Sequence, residues 1–186
     1  EQQMVLKHYH NSFVRGGANL APEKKERLKA INSELAVLSL KFGDNQLKET
    51  NAYKLVIDNK KDLSGLPEGV VAAAADAAKE AGMEGKWVFT LHNPSIMPFL
   101  QYADNRDLRE QIYKAYINRG SNKNANNNWD NISKMVSLRA EKAHLLGFPD
   151  YASYVIDNNM AKTTDNVYKL CNQIWEAALP NAKAEA

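Results

Sequence analysis

Apolar positions recur every three or four residues along most of this chain, the spacing of helices that bury one face. Residues 3–15 place Val5, Tyr9 and Phe13 on one side of such a helix, and Gly16-Gly17 offer the positive φ that closes it. Pro22 suits a first helical turn, where its missing N–H costs nothing, and Leu28, Ile31, Leu35, Leu38 and Phe42 form the stripe of a second helix, antiparallel to the first. The period then changes. Residues 53–57 (Tyr-Lys-Leu-Val-Ile) are aromatic and β-branched and read as a strand, followed by turns at Asp58-Asn59 and at Gly65 to Pro67. An alanine-rich helix over 67–81, stopped by Gly82, can approach a neighbour closely because its side chains are small. Residues 86–91 form the clearest strand, with Trp87, Phe89 and Leu91 alternating against Lys86, Val88 and Thr90.

From Asn93 onward the pattern is helical again. Pro94 and Pro98 bracket a short turn, Asp104 or Asn105 caps a helix carrying Leu108, Ile112, Tyr113 and Tyr116, and Gly120 ends it. Residues 121–128 are asparagine-rich, and their side chains compete for backbone hydrogen bonds, which predicts a loop and the most mobile internal segment. Trp129, Ile132, Val136, Ala140 and Ala143 then predict a buried helical stripe ending at Gly147. A short helix bears Tyr151, Tyr154 and Val155. A last one, capped by Thr163 or Thr164, carries Val167, Leu170, Cys171, Ile174, Trp175 and Ala178 to the final residues with no stop signal. The chain opens without an initiator Met inside one helix and closes inside another, which reads as a piece of a longer polypeptide. The expected class is therefore mainly α, with a small antiparallel β element at about residues 53–57 and 86–91. A lone strand pair is marginal, so this element must pack on helices or pair with further chain.

Composition narrows the function classes. With 24 Lys and Arg against 22 Asp and Glu, nothing favours nucleic acid, and the densest basic cluster, Lys24, Lys25, Arg27 and Lys29, is interleaved with Glu23 and Glu26 as on a solvated helix face. No apolar run approaches the roughly 18 residues that span a bilayer, so no membrane partner is expected. The single cysteine, Cys171, excludes an internal disulfide and is expected in the core.

Candidate chemistry is sparse. His8, His10, His92 and His144 include no pair at the i, i+4 spacing that would turn two imidazoles toward one metal ion, and His8 and His10 point about 200° apart on a helix. Glu141 and His144 stand at i, i+3, which reads as a surface interaction with no nucleophile beside it. His92, after the second strand, has a supporting position at most. Arg106, Arg109 and Glu110 could clamp a carboxylate, but helix ion pairs, Arg106 with Glu110 or Asp107 with its neighbours, are the plainer reading. Tyr151, Tyr154 and Trp175 admit two uses, an apolar docking groove or core packing, and core is the expectation. No phosphate loop, dinucleotide fingerprint, nucleophile elbow or calcium loop is present.

Five segments, residues 13–20 (Phe-Val-Arg-Gly-Gly-Ala-Asn-Leu), 85–91, 105–110, 138–148 and 160–162 (Met-Ala-Lys), occur together in the order found in thimet-oligopeptidase-like zinc metallopeptidases. The chain resembles that family over nearly its whole length, and within it bacterial peptidyl-dipeptidase, also called dipeptidyl carboxypeptidase. The resemblance implies a helical, bundle-like half of a channel-forming enzyme that admits short peptides. It implies a parent that removes dipeptides from peptide C-termini, using zinc held by a His-Glu-x-x-His helix and a downstream Glu. That motif does not occur in this sequence, so no catalytic, cofactor-binding or metal residue is carried over, and zinc belongs to the parent rather than to this chain. Residues 1–186 are then expected to be one helical fragment of a larger peptidase, with a β/α insert at 53–91, the zinc domain absent, and no hydrolytic activity of its own. Expected partners are short peptides and the remainder of the same polypeptide, in the bacterial cytoplasm or, alternatively, the periplasm. The competing expectations are a relative that cuts peptides internally and a self-standing helical interaction module. As a cut piece, the chain is also expected to self-associate through uncovered apolar surface.

Overall fold

A computed structural model describes residues 1–185, and their secondary structure is mainly helical. In chain order the elements are α1 (Gln2–Arg15), α2 (Pro22–Ala52), β1 (Leu55–Ile57), a 3-10 turn (Lys60–Leu63), α3 (Glu68–Glu80), β2 (Trp87–Phe89), α4 (Asn93–Tyr102), α5 (Arg106–Ile117), α6 (Trp129–Leu145), α7 (Tyr151–Ile156) and α8 (Thr164–Glu185). They form two compact units: residues 38–132, and residues 1–37 with those from 133 onward.

The unit of residues 38–132 holds the apolar core. β1 and β2 pair antiparallel, with Leu55 opposite Phe89 and Ile57 opposite Trp87. Leu55, Ile57, Phe89 and Leu91 turn into a cluster with Leu63, Ile96, Phe99 and Ile112, where the Phe89 and Phe99 rings lie 4.5 Å apart. Val88, assigned by alternation to the polar side of its strand, is buried as well. Ala73, Ala74 and Ala77 of α3 line a cavity of about 150 Å³ together with Val88, so the small-residue helix covers the face of β2 that alternation leaves open. Its partner Val56 on β1 stays exposed. Gly65 shows why this corner needs glycine. Its φ is +84°, and a Cβ there would stand 2.2 Å from the Tyr102 carbonyl oxygen. Asp104 N–H donates to the Ser64 carbonyl and Ser64 Oγ to Asp104 Oδ2, tying the turn to the end of α4.

Four expectations need correction. Pro94 and Pro98 do not bracket a turn but lie within α4. Pro94 sits in the first turn, and Pro98 forfeits one backbone hydrogen bond while Ile96 and Phe99 beside it are fully buried, so core burial carries the helix past the proline. α2 continues ten residues beyond Phe42, because its inward line passes from Leu28, Ile31 and Leu38 to Asn45, Glu49 and Thr50, all buried. Of the stripe expected on α6, Ala143 is buried, but Trp129, Ile132, Val136 and Ala140 are exposed, and the helix buries Asn131 and Leu138 in their place. On α8 no residue is buried: Cys171 is exposed rather than core, and Trp175 is 63% exposed.

Caps follow the expected chemistry. Asn105 Oδ1 accepts from the Asp107 and Leu108 amides at 3.1 and 3.2 Å, Asp150 caps α7 through Ser153 N–H, and Thr163 Oγ1 accepts from Asn166 N–H.

Candidate functional site

The most elaborated polar site of the unit containing both termini is centred on Arg15, the last residue of α1. Gly16 and Gly17 stop that helix, Gly17 with φ +93° and a Cβ position only 2.5 Å from Leu28 Cδ2, which leaves Arg15 projecting from a helix end. Its Nη1 donates to Asp157 Oδ2 and its Nη2 to the Tyr154 carbonyl oxygen, both at 2.5 Å. The guanidinium lies 4.6 Å from the Tyr154 ring centre and 5.8 Å from that of Phe148, and these two rings meet edge to face at 5.4 Å. Arg15 caps the carbonyl end of α7 while lying against two aromatic rings, a use of the planar fork that an ammonium cannot reproduce.

Three of the five segments that carry the family resemblance converge at this point: residues 13–20 through Arg15, 138–148 through Phe148, and 160–162 through Lys162. Beside Arg15 opens a cavity of about 470 Å³ lined by Lys7, Asn11, Val14, Leu146, Phe148, Asn158 and Lys162. Lys162 has φ +64°, the one non-glycine residue with positive φ among those described. Nearby, Arg27 grips Glu141 with two parallel bonds of 2.6 Å, which hold the Glu141 carboxyl below its ordinary range. Lys142 donates to Asn32 Oδ1 at 2.7 Å, and burial lowers its pKa.

The unit of residues 38–132 has a second polar centre. Glu49, on the inner side of α2, accepts from Gly120 N–H at 2.6 Å, from Asn124 Nδ2 at 2.6 Å and from Asn122 Nδ2 at 2.9 Å. Burial alone would push its carboxyl up; the hydrogen bonds from Asn124, Gly120 and Asn122 outweigh that and bring it below the ordinary value. Asn128 donates to the Phe42 carbonyl and accepts from Asn45 and Asn131. Arg119 donates to Thr50 Oγ1 and lies 3.8 Å from the Tyr116 ring centre. The asparagines of the 121–128 loop, read as marks of mobility, thus bind α2. Tyr53 lies at the same end of α2, its hydroxyl buried without a hydrogen bond of good geometry. Burial raises its pKa, and the Gln111 side chain acts in the opposite direction.

The residues singled out from sequence do not assemble. His8 and His10 are exposed on α1. His92 Nδ1 stands 3.2 Å from Thr90 Oγ1 and Nε2 3.1 Å from Asn51 Oδ1, so this ring joins the ends of α2, β2 and α4. Glu141 pairs with Arg27, and His144 Nε2 donates to the Pro149 carbonyl at 2.9 Å, so these two side chains turn to different partners. Glu110 pairs with Lys114 rather than with Arg106. Tyr151 and Tyr154 are half-buried. Among the described residues no group of three or more His, Cys, Asp or Glu side chains is placed to hold a metal ion. Both polar centres escaped the sequence reading, since the Glu49 carboxylate and the Arg15 guanidinium lie at least 71 and at least 139 positions from their partners. The one available signal was the run of asparagine amides, which need acceptors.

Comparison with known proteins adds a relationship to this geometry. Residues 99–186 match Peptidase family M3. Across 99% of its length the chain is 34% identical to oligopeptidase A of Haemophilus influenzae, and it covers 28% of that protein. It is 36% identical over 95% of its length to dipeptidyl carboxypeptidase of Escherichia coli, covering 26% of it, and 38% identical over 88% to the chloroplastic and mitochondrial organellar oligopeptidase A of Arabidopsis thaliana, covering 22%. The chain spans about a quarter of the length of the curated relatives it matches.

Proposed function

Because this chain belongs to peptidase family M3, we propose that it is a channel-wall region of a zinc peptidyl-dipeptidase that removes dipeptides from the C-termini of short peptides. The observation that carries this reading is the similarity, over nearly all of the chain, to a protein named dipeptidyl carboxypeptidase. The chain's own donor set does not fit a catalytic zinc ion. Its histidines are dispersed or committed to other partners, and among the described residues no carboxylate shares a site with two of them. No chemical step is therefore assigned to these residues; the zinc ligands and the activated water belong to other parts of the parent polypeptide. What these residues contribute is channel wall, in two units that each hold a polar centre of their own, Arg15 in one and Glu49 in the other. The proposed location is the bacterial cytoplasm, and no helix among the described residues is long and apolar enough to cross a membrane.

A second reading, internal cleavage of oligopeptides, is favoured by the relatives named oligopeptidase A. The parent enzyme, incubated with a peptide blocked at its N-terminus, decides between them by mass analysis of the products. Successive loss of dipeptides from the C-terminus supports the first reading and internal fragments the second; hydrolysis that persists after zinc chelation overturns both. The 186-residue chain alone is expected not to hydrolyse this peptide, with or without added zinc.

A further inference from the structure

The cavity beside Arg15 has an uneven balance of charge. Asp157 gives its Oδ2 to Arg15, whose second amino group is taken by the Tyr154 carbonyl. Lys162 reaches only the backbone carbonyl of Asp157, at 3.3 Å. Lys7 has no hydrogen-bond or ion-pair partner among the described residues. The space of about 470 Å³ is thus lined by three cations, Lys7, Arg15 and Lys162, against one carboxylate, Asp157, which is paired with Arg15. The remaining wall is divided by chemistry: Leu146 and Phe148 are apolar, and Asn11 and Asn158 offer amide donors and acceptors. Lys162 lines this space from a left-handed backbone conformation that non-glycine residues adopt only at a cost, and such strain clusters at binding sites.

An inorganic anion would use the lysines and waste the apolar wall, and a hydrocarbon would do the reverse. A ligand carrying a carboxylate next to an apolar group and an amide uses all three. We propose that this cavity binds the C-terminal residue of a peptide, its carboxylate against Lys7 and Lys162, its side chain against Leu146 and Phe148, and its preceding amide at Asn11 or Asn158. The choice of a peptide end over another amphipathic carboxylate rests on the peptidase reading above; the charge and shape do not. No hydrolytic step is assigned to this cavity, whose role is to hold a peptide end.

The test is titration of the 186-residue chain with N-acetyl-phenylalanine and with N-acetyl-phenylalaninamide, followed through the backbone amide resonances of Val14, Asn158 and Lys162. The acid is expected to shift these resonances and the amide to bind at least about tenfold more weakly, since it lacks the charge that the lysines recognise. Lys7→Gln lies on an exposed helical face, and Lys162→Gly suits a φ of +64°, so both variants keep the fold. Each is expected to weaken the acid about fivefold, and the pair together to abolish its binding at the concentrations used. Equal affinity for acid and amide, undiminished binding by the double variant, inorganic phosphate binding as tightly as the acid, or no shift at these residues would each overturn the proposal. Because the readout is binding, failure here leaves the peptidase reading standing, and failure of hydrolysis by the parent leaves this site standing.

Discussion

Glu49 is 8% exposed and accepts three hydrogen bonds, one from a backbone amide and two from asparagines of the following loop. Replacing it by glutamine keeps the shape but turns a charged acceptor into a neutral amide whose NH₂ faces donors. Glu49→Gln is expected to cost about 1.5–3 kcal/mol in urea unfolding at neutral pH. The effect has a defined pH dependence. The folded carboxyl titrates below its ordinary 4.5, so its contribution is complete above that value and is lost as pH falls through the lower, folded one. The stability gap between wild type and Glu49→Gln should therefore shrink on acidification to about pH 3; a gap unchanged between pH 7 and pH 3 would show that the carboxylate's charge plays no part. Arg15 makes a parallel case. Arg15→Lys retains the charge but not the fork that reaches Asp157 and the Tyr154 carbonyl together, nor the flat surface against Tyr154 and Phe148. Because Asp157 is half-exposed and its pair is screened, most of the loss falls on the carbonyl and ring contacts, and about 1–2 kcal/mol is expected in the same assay.

At the scale of elements, periodicity revealed nearly every helix and both strands, while the side each helix buries was much harder to read. Trp129, Ile132 and Val136 repeat as an inward stripe should, yet α6 turns Asn131 and Leu138 inward, because hydrogen bonds from Asn131 and Asn45 to Asn128 fix the start of that helix. The same limit hid the last ten residues of α2, where Asn45 and Glu49 point inward and find their partners more than 70 positions away. A helix is written in local spacing, whereas its neighbour lies elsewhere in the chain. The two centres that give this chain its most specific geometry were illegible for that reason; only the asparagine run hinted at one of them. The 120–128 segment offers an element-scale test. Asn128 N–H donates to the Gly120 carbonyl at 2.7 Å, and Gly120 N–H to Glu49. Hydrogen exchange should show both amides protected well above those of the exposed residues 122–125, and Glu49→Gln should release Gly120 far more than Asn128. Uniformly fast exchange from 120 to 128 would mean that the polar cage does not hold the loop.

For the molecule as a whole, the notable quantity is uncovered apolar surface on its helices. Met4, Leu6 and Phe13 on α1, Val37 and Leu40 on α2, and Tyr168, Ile174 and Trp175 on α8 are each between 58% and 73% exposed. Single exposed hydrophobic residues are ordinary; on α8, Leu170, Ile174 and Trp175 recur at helical spacing and make a continuous strip. A strip of that kind gains free energy from any apolar cover, at roughly 25 cal/mol per Å² removed from water. A second copy of the chain in concentrated solution provides one such cover. Sedimentation of the 186-residue chain should therefore show mass rising with concentration, accompanied by binding of a hydrophobic dye. Ile174→Glu with Trp175→Glu should suppress both without lowering unfolding stability, because α8 buries no side chain in the isolated chain. A strictly monomeric, dye-negative wild type would mean that these side chains are hydrated without consequence, and it would weaken the view of this chain as a wall that the rest of a peptidase covers. Association that survives the double substitution would move the contact to α1 or α6, where Phe13→Glu and Trp129→Glu provide the next discrimination.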